Sequence, residues 1–193
     1  MTVKSVQARD IPNLITFMRL LLVAPIVFYL LRSEYGVALV LFIIAGLSDA
    51  LDGFLAKQFG WSSRLGGLLD PIADKLLLVS CFLALTWQGL IPVWLTVVVI
   101  GRDLLIIIGA TLYQMLVERL EAAPSVISKL NTLSQLLLVV AVLFHYGAQI
   151  IPVEWLSILT YSVLATTLIS GADYVWTWGW RAWNKKHGSG RFP

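Results

Sequence analysis

Four aspartates, Asp49, Asp52, Asp70 and Asp74, interrupt a stretch that is otherwise apolar enough for a bilayer. A carboxylate at membrane depth costs about 3 kcal/mol on insertion scales, so four of them point to a shared cation or a polar cavity. Carboxylate oxygens suit hard divalent cations such as Mg²⁺, Mn²⁺ or Ca²⁺, whereas zinc sites usually include His or Cys, and neither stands near these residues. Two such cations could hold the phosphates of a substrate, one stabilising the leaving oxygen and the other the attacked phosphorus centre. A remaining carboxylate could take the proton of an acceptor hydroxyl, and Asp74, deepest by one helical turn, is the candidate. Lys57, Arg64, Arg19 and Arg102 would supply positive charge for phosphate oxygens.

The elements that position these residues follow from spacing. Asp49 and Asp52 are three residues apart and Asp70 and Asp74 four, so each pair occupies one face of a helix. The segment 58–65 joins the two helices and brings both pairs to one membrane face. Gly53, Ala56, Gly66 and Gly67 are small where two helices and a ligand approach, although small residues serve plain helix packing equally well. Pro71 is tolerated near a helix start, which places that start near Asp70. Asn13, Thr16 and Arg19 recur every three residues as a polar stripe on the first helix, and Arg19 lies deep enough to reach the aspartates. The competing reading of Arg19 is a side chain that snorkels back to the interface.

Further along, Arg102 and Asp103 fall near the middle of a fourth apolar segment. Adjacent helical residues do not face each other, so Arg102 is expected to take a different anion, either a carboxylate of a neighbouring helix or a bound phosphate. Lys129, Asn131, Thr132 and Gln135 enter a fifth segment at helical spacing as a cavity lining, with Lys129 alone also able to snorkel. His145 reads as a polar cap. Trp176, Trp178, Trp180 and Trp183 with Arg181, Lys185 and Lys186 read as an aromatic and basic interface anchor.

The 193 residues are 59% hydrophobic and 13% charged, with mean hydropathy +0.84, outside the range of water-soluble domains. Six apolar segments are expected to span: 11–31, 36–57, 67–88, 91–116, 126–146 and 153–176. The first is too long for a signal peptide and is read as a retained helix. Lys4, Arg9, Arg19, Lys57, Arg64, Lys75, Arg119, Lys129, Arg181, Lys185, Lys186 and Arg191 fall to one side and Arg32 to the other, so both termini are placed in the cytoplasm. The expected fold is therefore an all-α integral membrane protein of six transmembrane helices, one domain over 1–193. Cys81 is alone, so no intrachain disulfide forms, and nothing indicates nucleic-acid binding. A transporter or channel is the competing class, but no polar stripe continues from the aspartates to the outer side.

The pattern Asp49-x-x-Asp52-Gly53-x-x-Ala56-Lys57, followed by Gly66, Asp70 and Asp74, closely resembles the signature of the CDP-alcohol phosphatidyltransferases. Lys57 departs from it, since the family usually carries Arg there, and a bidentate phosphate contact becomes a point charge. The resemblance implies a homodimer of six-helix subunits and two divalent cations, Mg²⁺ or Mn²⁺, held by Asp49, Asp52, Asp70 and Asp74, with Asp74 as general base. It also implies a nucleotide against Asp49, Gly53, Ala56, Lys57 and Gly66, and CDP-diacylglycerol as donor with release of CMP. The site would face the cytoplasm from a bacterial inner membrane and open sideways to lipid. Members that use glycerol 3-phosphate typically carry Gly-Lys-x-Lys-Thr where this chain has Ser128-Lys129-Leu130-Asn131-Thr132. With one lysine replaced by Asn131, this stretch and Gly101 to Leu105 look more like the cardiolipin synthases of the family, whose acceptor is phosphatidylglycerol. Asn13, Arg19, Arg64, Arg102, Lys129 and Asn131 are the expected contacts to acceptor or phosphate, and phosphatidylglycerophosphate synthesis is the alternative.

Overall fold

A computed structural model describes residues 11–59, 66–116 and 125–188. Six helices follow one another: α1 (Ile11–Leu31), α2 (Tyr35–Phe59), α3 (Gly66–Trp87), α4 (Val93–Leu116), α5 (Val126–Ala148) and α6 (Val153–Gly188). The helices match the six apolar segments to within two residues at every end but the last of α6. Helix α3 starts at Gly66, one turn before the start that Pro71 marked, so the proline lies inside the helix. Helix α6 runs past Trp176 to Gly188, because the polar and basic tail that ends the apolar run contains no proline to stop a helix.

Among the described residues four helices are long and apolar enough to cross a membrane, through Leu14–Leu31, Val93–Thr111, Val126–Ala148 and Val153–Thr177. Helix α2 contributes a shorter apolar stretch, Tyr35–Asp49, which ends at the first aspartate.

The chain gathers into two compact units. The first comprises Met1–Leu90 and Val139–Pro152. Here α1 packs against both α2 and α3. The buried stripe of α1 runs Thr16, Arg19, Val23, Ile26 and Leu30, alternating steps of three and four as a helix face requires. On α2 the stripe is Ala38, Phe42 and Ala45, and on α3 it is Ala73, Leu77, Cys81 and Leu85. Small residues at 38, 45 and 73 let the backbones approach, as membrane helix packing favours.

These stripes are apolar in the middle and polar at both ends. Because α1 and α3 run one way and α2 the other, Leu30, Tyr35 and Gln88 share one end. There Gln88 Nε2 donates to the Leu30 carbonyl, and Tyr35 Oη donates to Gln88 Oε1 at 2.7 Å. Gly147 lies so close to the backbone of Gly36 that a Cβ would stand 3.0 Å from its nitrogen. His145 behaves as the expected cap, its Nδ1 meeting the Ile151 carbonyl. The opposite end carries the aspartates.

The second unit comprises Ile91–Leu138 and Val153–Pro193, in which α4 packs on α6. Its buried stripe on α5 is Asn131, Gln135 and Leu138, and on α6 Leu156, Val163, Thr167 and Ser170. Polar residues thus occupy interior positions where an apolar chain offers no water, so each must find a protein partner or a ligand.

Candidate functional site

Helix α1 supplies the two buried polar residues around which the acidic end is built. Thr16 and Arg19 are each 1% exposed, so Arg19 does not snorkel to the interface. Its Nη1 stands 2.6 Å from Asp49 Oδ1 on α2 and 2.5 Å from Asp74 Oδ1 on α3. Thr16 Oγ1 donates to Asp70 Oδ1, one turn earlier on α3. Three helices therefore bring three of the four expected aspartates to one place. Arg19, expected as a contact for acceptor or phosphate, is bonded here to carboxylates.

Exposure divides this cluster. The Arg19 side chain is 0% exposed, whereas those of Asp49 and Asp74 are each 43% exposed. The carboxylates thus have a buried side held by protein and an accessible side. Asp49 and Asp74 share the Arg19 guanidinium while Asp70, one turn away, is held by Thr16, and carboxylate oxygens gathered in this way are hard donors of the kind that suit a divalent cation. Among the described residues no group of three or more His, Cys, Asp or Glu is drawn together tightly enough to hold a metal ion. Asp52, Gly53, Ala56, Lys57 and Asn13 lie on described helices but their side chains fall outside the described residues, as does Arg64 altogether. Gly66 opens α3.

The second unit holds the other expected residues, with a different outcome. Arg102 Nη1 donates to Asp103 Oδ1 at 2.8 Å, and both residues are buried. The expectation that neighbours on a helix cannot neutralise each other fails here, because the long guanidinium side chain curls around the helix to its own neighbour. Arg102 Nη2 also donates to Ser128 Oγ at 2.8 Å and to Ser170 Oγ, and its guanidinium carbon lies 5.7 Å from the Tyr174 ring centre. Arg102 therefore pairs with the carboxylate beside it on its own helix and not with one of another helix. It lines a cavity of about 390 Å³ whose walls are mostly apolar, including Val98, Leu105, Leu168 and Val175.

Asn131 is fully buried. Its Oδ1 accepts from Thr167 at 2.8 Å and from Thr166 at 3.1 Å, while Ser134 and Thr166 hydroxyls lie 2.9 Å apart. Lys129, two residues earlier, is exposed. Thr166, Thr167 and Ser170 were not singled out from the sequence. Their small hydroxyls spaced along one face of an apolar helix were the available signal, but hydroxyls in membrane helices often bond their own backbone and reveal no partner.

The comparisons with known proteins follow this geometry. The profile of the family described as CDP-alcohol phosphatidyltransferase matches residues 9–170. The chain is similar to a cardiolipin synthase (CMP-forming) of Rattus norvegicus, 37% identical over 185 residues, covering 85% of this chain and 60% of the relative. Over 107 residues it is 40% identical to a cardiolipin synthase (CMP-forming) of Streptomyces coelicolor, covering 51% of this chain and 50% of that protein. It is also 32% identical over 170 residues to a CDP-diacylglycerol–glycerol-3-phosphate 3-phosphatidyltransferase of Aquifex aeolicus, covering 86% and 93% of the two chains. The chain thus spans about 60% of the rat relative's length.

Proposed function

Because the chain belongs to the CDP-alcohol phosphatidyltransferase family, we propose that it transfers a phosphatidyl group from CDP-diacylglycerol to the hydroxyl of a glycerol-type acceptor. The acceptor oxygen attacks the phosphorus that carries the diacylglycerol, the pyrophosphate bond breaks, and CMP leaves. Asp49, Asp52, Asp70 and Asp74 would hold Mg²⁺ or Mn²⁺, which when bound offset negative charge on the phosphates. Asp74 takes the acceptor proton. The nucleotide lies against Asp49, Gly53, Ala56, Lys57 and Gly66, and Arg64 and Lys129 are the remaining candidates for phosphate contacts. The observation that carries this reading is the convergence of Asp49, Asp70 and Asp74 from two helices on the buried pair Thr16 and Arg19.

We place the acceptor as phosphatidylglycerol, with cardiolipin as product. The Ser128 to Thr132 stretch and the names of the rat and Streptomyces relatives support this choice. Phosphatidylglycerophosphate synthesis from glycerol 3-phosphate is the second reading, favoured by the near full-length similarity to the Aquifex protein. Six spans, cytoplasmic termini, an inner-membrane location and a homodimer complete the proposal, and the profile match across both units supports one domain over the chain. Because Asn131 is buried, a lysine substituted there is no clean probe of acceptor choice. Asn131→Lys would place an ammonium against Thr166 and Thr167, so it reports on packing before it reports on acceptor choice.

The deciding experiment gives the purified protein labelled CDP-diacylglycerol with Mg²⁺ or Mn²⁺ and either phosphatidylglycerol or glycerol 3-phosphate, then separates the lipid products. Cardiolipin formation is the expected result. Phosphatidylglycerophosphate alone overturns the acceptor, and no CMP release with any glycerol-type acceptor overturns the reaction.

A further inference from the structure

We infer that α1 is the positioning element of the acidic site, with Thr16 and Arg19 fixing Asp70, Asp49 and Asp74 from the buried side and leaving their accessible side to cations. This rests on the metal reading given under the proposed function. It assigns to Arg19 a role toward the carboxylates in place of a phosphate contact.

Three observations carry it. A single nitrogen, Arg19 Nη1, touches Oδ1 of Asp49 at 2.6 Å and of Asp74 at 2.5 Å, so one atom sets the spacing between a carboxylate of α2 and one of α3. Thr16, one turn earlier on the same buried stripe, bonds Asp70 independently. The donors are buried while the Asp49 and Asp74 side chains are 43% exposed, so an ion reaches the carboxylates from the side opposite Arg19. A carboxylate ligand that is itself hydrogen-bonded from behind loses less freedom on taking a cation, and losing such a partner typically weakens metal binding about 10- to 100-fold. The alternative role for Arg19, a counter-ion competing with the metal for the same oxygens, has the opposite sign. Removing a competitor would tighten metal binding.

Mn²⁺ binding to the detergent-purified full chain, followed without substrate by electron paramagnetic resonance, separates these roles. Arg19→Met is expected to weaken Mn²⁺ binding about 10- to 100-fold and Thr16→Val about tenfold. Arg19→Lys should restore binding to near the wild-type level, because one Nζ can touch both oxygens as Nη1 does, and Thr16→Ser should do the same. Thermal unfolding in the same detergent shows which variants are folded. If Arg19→Met does not fold, the isosteric Thr16→Val carries the test. An Arg19→Met or Thr16→Val variant that folds and binds Mn²⁺ as the wild type does, or more tightly, overturns the inference. A wild-type chain that binds no Mn²⁺ overturns the metal reading itself, a distinct result because it precedes any variant.

Discussion

Two buried arginines, Arg19 and Arg102, sit in helices that would each lie in a membrane, and they do different things. Arg19 reaches two aspartates on two other helices, and the carboxylates around it outnumber it. Arg102 closes its charge on Asp103 beside it and gives Nη2 to the hydroxyls of Ser128 and Ser170, while its buried Nε has no hydrogen-bond partner among the described residues. The difference teaches that burial of a charge does not by itself mark chemistry. A charge balanced by the carboxylate of its own neighbour needs no further anion. A cluster with more carboxylate than cation, open on one side, still demands a positive partner.

The largest test of this contrast lies in the acidic cluster. Asp74→Asn should lower the rate of CMP release by about 10²- to 10⁴-fold, the range removed with a general base, while thermal unfolding changes little. Asp103→Asn should leave that rate within a few-fold of wild type, and an equal loss at both positions would erase the distinction.

The second test is one of stability and should strike the other centre harder. Arg102→Met removes the cation paired with the buried carboxylate of Asp103 and should cost about 3–5 kcal/mol, whereas Arg102→Met combined with Asp103→Leu should recover most of it. Arg19→Met leaves carboxylates that water can reach, so its stability cost should be smaller, because exposed charges are screened. Thermal unfolding of these variants in one detergent checks the order.

A smaller effect should come from Asn131→Ala, which removes the acceptor of Thr166 and Thr167 at a cost of about 1–3 kcal/mol and leaves Mn²⁺ affinity unchanged. A shift in metal affinity would tie the second unit to the acidic cluster. Smallest is Gln88→Leu, which leaves Tyr35 and the Leu30 carbonyl without this partner at the far end of the first unit. It should cost about 1 kcal/mol and leave CMP release unchanged.

Much of the architecture was legible in the chain. The apolar runs located all six helices, and α1 has the expected bounds, because a span needs about 20 apolar residues and short polar breaks separate them. The end of α6 was not legible, since hydropathy marks where lipid stops and says nothing of where a helix stops. Six spans were expected, and among the described residues four helices meet the length and hydropathy required, with the apolar run of α2 ending at Asp49. The stripe Asn13, Thr16, Arg19 announced that α1 would face the acids, because period alone puts these residues on one face.

By itself the sequence determined the kind of protein and the acids that mark its chemistry. Residue type, spacing and hydropathy are local properties, and they suffice to put two carboxylate pairs on two helix faces. Only the tertiary structure decided who meets whom. That Thr16 takes Asp70, that Arg19 joins Asp49 to Asp74, and that Arg102 turns back to Asp103 depend on how helices dock and how long side chains bend. A linear pattern constrains neither, since a guanidinium several bonds from its backbone can reach the adjacent residue or another helix, and burial decides between them.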